Sequence, residues 1–193
     1  MLKEEQTADK AVIKWASKQA ASLLSPLGNR WLHVQGVAKQ ALWVSKMFDE
    51  NDQAYLIASA YLHDVGYAPS IKKTGFHPLD GAYYLQSNGQ SRLATLVAYH
   101  SEAQIEAELR GLLTELEKFP REYSDVADAL TYCDMTTNAI GQRITFEERI
   151  ADILKRYRET DTVIQALKKA TPLWEVDIKR TEQKLHKHGL INS

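Results

Sequence analysis

Hydrophobic positions along this chain recur at steps of three and four almost everywhere, and the strict alternation that marks half-buried strands is nearly absent. The pattern predicts an all-α protein. Thr7 opens a helix running to about Leu24, which Pro26 and Gly28 end, and Asn29 opens a second through about Phe48. Asp52 starts a third that stops at His63-Asp64 and Gly66. Pro78 suits the first turn of a fourth, which Asn88-Gly89 closes. Further helices follow over about 91–100, 102–118 and 124–137, with Pro120 as an interruption. Thr145 with Glu148 three residues on is a capping box for a helix through about Arg158. Asp161 and Thr171-Pro172 start the last two helices, and Gly189 ends the helical part. No repeat, low-complexity tract or linker divides the chain, so 1–193 reads as one domain.

Polar residues interrupt these apolar stripes at a few places. The run "AYLIASAYLHD" carries a buried face straight into His63 and Asp64. An unpaired carboxylate in an apolar setting costs several kcal/mol, so Asp64 requires a partner or a metal. His33 shares a face with Val37, Ala41, Val44 and Phe48, His63 with Leu56, Ser59 and Ala60, and His100 with Leu93, Leu96 and Val97. His77 stands at a helix entrance, immediately before Pro78. In "SDVADALTYCDMTTN", Asp134 is carried inward with Leu130, Thr131 and Ala127; Asp128 lies off that face, and Asp125 reads as N-terminal charge. One histidine on an apolar face is ordinarily a satisfied core residue. Several together with two carboxylates form the donor set that divalent transition metals prefer. His186 and His188, among Lys184 and Lys187, read as surface.

Composition narrows the picture further. Lys and Arg number 24 against 25 Asp and Glu, so no basic footprint points to nucleic acid. Cys133 is the one cysteine, which excludes a disulfide within the chain and suits a reducing compartment. The start "MLKEEQTADK" lacks the apolar core of a signal peptide, and no run approaches a membrane span. These features point to a cytoplasmic protein without membrane contact.

His33, the His63-Asp64 pair and Asp134, on separate helices, resemble the HD-domain superfamily of metal-dependent phosphohydrolases. His77 in "GFHPLDGAYYL" and His100 in "VAYHSEA" resemble its six-ligand, two-metal branch, and the pattern is similar to bacterial symmetrical dinucleoside-tetraphosphate hydrolase-like HD proteins. The resemblance covers about residues 29–140, with accessory helices at both ends. Two departures stand out. Pro78 occupies the place of an expected glycine, and "MTTNAIGQR" that of an expected Glu-Pro and nearby Arg. "GYAP" after the pair differs from the uninterrupted Gly-Tyr-Pro of cyclic-dinucleotide phosphodiesterases.

The resemblance implies a helical bundle in which Asp64 bridges two divalent transition-metal ions, Fe, Mn, Co and Zn alike suiting the ligands. It implies that His33, His63 and Asp134 hold one ion and His77 and His100 the other. Metal-bound hydroxide would then attack the phosphorus of a small phosphorylated substrate, a nucleotide by analogy, with Asp64 as the catalytic carboxylate. No Ser or Cys nucleophile motif competes, and Cys133 reads as buried filler. Lys72 and Lys73, in "SIKKTGFH", and Arg30, three residues before His33, are the candidate substrate cations; Asp80 is a candidate to orient an imidazole. Ile150, Ile153, Leu154 and Tyr157 make a core stripe whose alternative is a homodimer face. Two other readings share the ligand set, namely a mixed-valent di-iron oxygenase and a non-catalytic nucleotide-binding protein.

Overall fold

The computed structural model describes residues 2–192, with side chains described from Lys10 to Asn192. Its elements are α1 (Leu2–Leu24), α2 (Asn29–Val44), α3 (Glu50–Leu62), α4 (His77–Ser87), α5 (Ser91–Tyr99), α6 (Ala103–Leu109), α7 (Leu113–Leu116), α8 (Asp125–Met135), α9 (Phe146–Arg156) and α10 (Thr162–Lys187). Among the described residues there is no strand, and the fold is all-α. The one β contact among them is an isolated bridge between Thr137 and Arg143.

Helix α3 is the axis of the bundle, because its sequence is apolar on every side. Ala58 and Leu62 belong to a core shared with Leu24, Val34, Phe76, Leu79 and Leu93, whereas Leu56 and Ala60 face a second core with Val37, Val44, Leu130 and Trp174. A helix apolar all round is stable only when surrounded, and α1, α2, α5 and α8 surround this one. Its start is fixed by Asp49, whose carboxylate accepts from the Asp52 amide at 2.9 Å, so the cap lies three residues ahead of the expected Asp52. Cys133 is buried in the second core.

Most helix boundaries follow the sequence signals. Ser124 caps α8, the Thr145–Glu148 capping box opens α9, and Gly89 and Gly189 terminate α4 and α10 with positive φ. Four further expectations need correction. Helix α1 begins at Leu2, ahead of Thr7. The segment 102–118 is two helices, because Gly111 (φ 70°) turns the chain between α6 and α7. Thr171-Pro172 does not start a helix, since α10 runs through it as one rod. Pro172 lies on the exposed face, where the carbonyl its missing N–H leaves unbonded meets water, and the Thr171 hydroxyl donates to the Leu167 carbonyl at 2.8 Å. The α9 stripe is also incomplete. Phe146 and Arg149 are its buried residues, Ile150 and Ile153 are half-buried, and Leu154 is exposed.

No described helix is long and apolar enough to cross a membrane.

Candidate metal centre

Five segments meet at the C-terminal end of α3. His33 comes from the second turn of α2, His63 caps α3, and Asp64 follows it into a short 3-10 turn, Val65–Tyr67. His77 is the first residue of α4, His100 follows the last turn of α5, and Asp134 sits in the last turn of α8. Gly66 allows the close approach of two of these segments. A Cβ there would lie 1.9 Å from the His77 carbonyl oxygen, so only a glycine lets the turn carrying Asp64 lie flat on the start of α4.

The donor atoms converge in two groups that share one carboxylate, His33–His63–Asp64 and Asp64–His77–His100. His33 Nε2 is 3.0 Å from Asp134 Oδ1, His63 Nε2 is 3.4 Å from Asp64 Oδ2, and His77 Nε2 is 3.3 Å from both Asp64 Oδ1 and His100 Nε2. Two ligands each about 2.1 Å from one ion and 90–110° apart are separated by about 3.0–3.5 Å. These separations therefore match the edges of a coordination sphere.

The tautomers agree. A backbone carbonyl can only accept, so His33 donates Nδ1–H to Asn138 O (3.0 Å), His63 to Ala60 O (2.8 Å) and His100 to Val97 O (2.6 Å). Each ring is thereby left with an Nε2 lone pair aimed at the cluster, the arrangement that metal-binding imidazoles adopt. His63 Nε2 is buried with no hydrogen-bond partner.

Charge is tuned in the same sense. Burial works to raise Asp64, but Arg30, His63 and His77 outweigh it and hold the carboxyl well below the usual carboxylate range. For Asp134 burial is likewise overcome, by the His33 contact, His63 and Arg149. Burial, with help from His100 and Arg30, keeps His77 well below the ordinary imidazole value against the pull of Asp64; burial and His63 lower His100. Burial depresses His63 too, but Asp64 beside its Nε2 more than offsets this and raises it, marking the place where a cation is favoured.

The surrounding residues orient the ligands. Arg30 Nη1 donates to Asp64 Oδ2 at 2.6 Å, and its guanidinium lies 3.9 Å over the Tyr67 ring, which stacks on His77 at 4.1 Å. Arg30 is thus bound to a candidate ligand and also faces the cavity. Ser101 (φ 49°) and Glu102 (φ 56°) adopt left-handed backbone just after His100, a conformation costing on the order of 1 kcal/mol or more per non-glycine residue. This kink brings the Ser101 hydroxyl to Asp134 Oδ2 at 2.6 Å and turns Glu102 towards Arg121.

Asp64, His77, His100 and Asp134 open on a cavity of about 310 Å³, part of whose wall is supplied by α9 and α10. Lys72 and Lys73 do not line it; they are exposed on the loop before α4, so the structure does not bring them to the site. Asp80 is buried and occupied elsewhere, accepting from the Thr74 amide (2.8 Å), the Thr74 hydroxyl (2.9 Å) and the Gly75 amide (3.0 Å). It shapes the loop and does not orient His77. Asp125 pairs with Lys184, and His186 and His188 are exposed, in keeping with their surface reading; Asp128, 3.7 Å from Arg180, is instead half-buried, and burial raises its carboxyl.

Sequence reasoning missed Tyr67, Arg149 and Trp174, all of which line the cavity. Arg149 left a signal, since it falls on the same helical face as Phe146, Ile150 and Ile153, where a solvated arginine has no place. The other two left none.

The HD domain family model matches residues 30–139, more than half of the chain, which belongs to that family. No curated protein matches, and no solved structure matches.

Proposed function

We propose that this HD-domain protein is a metal-dependent phosphohydrolase, of the six-ligand type, that cleaves a phosphate ester or anhydride of a small phosphorylated substrate such as a nucleotide. The observation that carries the reading is the set of three imidazoles with Nδ1–H committed to backbone carbonyls, of which His33 and His63 turn Nε2 to the ionised Asp134 and Asp64 and His100 turns it to His77. His33, His63 and Asp134 would hold one divalent ion, His77 and His100 a second, and Asp64 would touch both. Bound ions of this kind supply a water acidic enough to attack at neutral pH and neutralise charge on phosphoryl oxygens.

The chain's own residues do the rest. Asp64 and Asp134 stay ionised, His77 and His100 stay neutral, and Arg30 fixes the rotamer of Asp64. Tyr67 packs His77 in place, and Ser101 holds the second oxygen of Asp134. A cavity of about 310 Å³ is at the small end of ligand sites, which favours a compact substrate over one with two nucleosides.

The test combines metal analysis with turnover. Protein purified without added metal or chelator should carry close to two ions per chain, and should release phosphate from a nucleotide panel equally well with and without O₂. Asp64→Ala, folded by circular dichroism, should lose at least about 100-fold in rate. Unchanged hydrolysis in that variant sinks the reading, and turnover that requires O₂ transfers the site to di-iron oxygenation.

A further inference from the structure

Two residues that line the cavity from α9 and α10 carry hydrogen-bond donors with nothing to bond. Arg149, from α9, is 6% exposed; Nη2 reaches Asp134 Oδ1 and Nη1 reaches Asp152 Oδ2, both at 3.4 Å, and Nε has no partner. Contacts of 3.4 Å are long for charged pairs, which settle near 2.7–2.9 Å, so this guanidinium is confined without being satisfied. Trp174, from α10, is 7% exposed, and its Nε1–H is buried without an acceptor. Both side chains line the cavity that His77 and His100 also line. Buried polar groups are nearly always paired, and two orphan donors on residues that line one cavity are rare in native proteins.

We propose that Arg149 and Trp174 form an oxyanion subsite, gripping the non-bridging oxygens of the substrate's phosphoryl group from the part of the wall that α9 and α10 supply. Because Arg149 touches Asp134, an oxygen it holds lies next to the candidate metal centre, and so belongs to the group that reacts. The guanidinium fork and the indole N–H are donors only, so the group they select carries several acceptor oxygens and negative charge. Arg156, 3.1 Å from Asp152, lines the same cavity. All three residues follow position 139, so this wall is supplied by helices outside the matched HD span.

The inference rests on the phosphohydrolase reading for the identity of the anion, and the experiment separates the two. The chain has four tryptophans, Trp15, Trp31, Trp43 and Trp174, hence four indole N–H signals in a ¹⁵N-labelled spectrum. Trp174→Phe identifies one of them by its loss. Inorganic phosphate is titrated into the full-length protein as purified and again after zinc addition, with zinc counted by elemental analysis. The Trp174 signal should move with saturation while the other three hold. Calorimetry should show phosphate binding weakened about 10-fold in Trp174→Phe and about 10–100-fold in Arg149→Gln. Phosphate that binds without moving the Trp174 signal in either form overturns the subsite and leaves the hydrolase reading intact. A Trp174 shift in protein that takes up no zinc supports the subsite and removes the hydrolase reading. Failure of phosphate to bind in either form overturns the subsite.

Discussion

Replacing Gly36 with alanine separates two effects of opposite sign. Within an exposed helix, Gly→Ala is favourable by about 0.5–1 kcal/mol, because alanine surrenders less backbone freedom. Here the new Cβ would lie 2.4 Å from both Cα and O of Gly141, where contacts shorter than 3.4 Å are already tight. The loop must therefore retreat by about 1 Å, an overpacking that costs on the order of 1–3 kcal/mol. The turn moves as a unit, because Asn138 and Gln142 exchange backbone and side-chain hydrogen bonds and Gly141 N donates to Asn138 O at 3.0 Å. Asn138 O is the acceptor for His33 Nδ1, so the retreat frees the ring. Net destabilisation of about 1–2 kcal/mol is expected, and loss of such an orienting bond ordinarily weakens metal affinity about 10–100-fold. Urea unfolding of the apo protein gives the first quantity, and competition with a chelator for zinc gives the second. A variant more stable than wild type by the propensity gain alone, with unchanged zinc affinity, would refute the coupling of this loop to His33.

Two further substitutions probe the fold around the site. Asp177 is raised to about 7 from an ordinary 3.8, by burial first and then by Asp128 and Glu102. A carboxyl raised on folding binds its proton more tightly in the native state, so its contribution favours folding at low pH and turns against it as pH rises from about 4 to 7. Asp177→Asn should therefore gain about 1–2 kcal/mol at pH 8, less than the full shift because Arg180 and Arg121 offset the charge, with the gain vanishing towards pH 4 in denaturant titrations. Asp80→Ala removes the acceptor for two backbone amides and a hydroxyl in the loop before His77. It should cost about 2–4 kcal/mol by chemical denaturation, and an unchanged midpoint would show that water replaces the carboxylate freely.

What the sequence revealed about the site depended on how far each signal travels along the chain. His33, His63, His100 and Asp134 each sit at a helical position whose neighbours within one or two turns declare the buried side, so periodicity brought these four inward; Asp64 followed from the apolar run that ends on it, and His77, at a helix entrance, joined the set only through the resemblance. The capping box at Thr145 and the stops at Gly89 and Gly189 are equally local. The misreadings arose where a distant partner decides. Lysines 72 and 73 adjoin the ligands in sequence but face solvent, whereas Arg149 and Trp174 reach the cavity from far along the chain. Asp80 looked available for His77 until the loop folded back on it, and Pro172 lost its power to break a helix because that face is exposed.

Cys133 gives the bundle a clock of its own. The only thiol in the chain is fully buried beside Asp134, and burial pushes its ionisation far up, so a reagent that needs thiolate finds none while α8 is seated. Each modification event then counts an excursion in which the helix carrying Asp134 leaves the core. Native-state opening of that one segment, and its slowing by anything that binds the site, is written into the rate at which a single sulfur disappears.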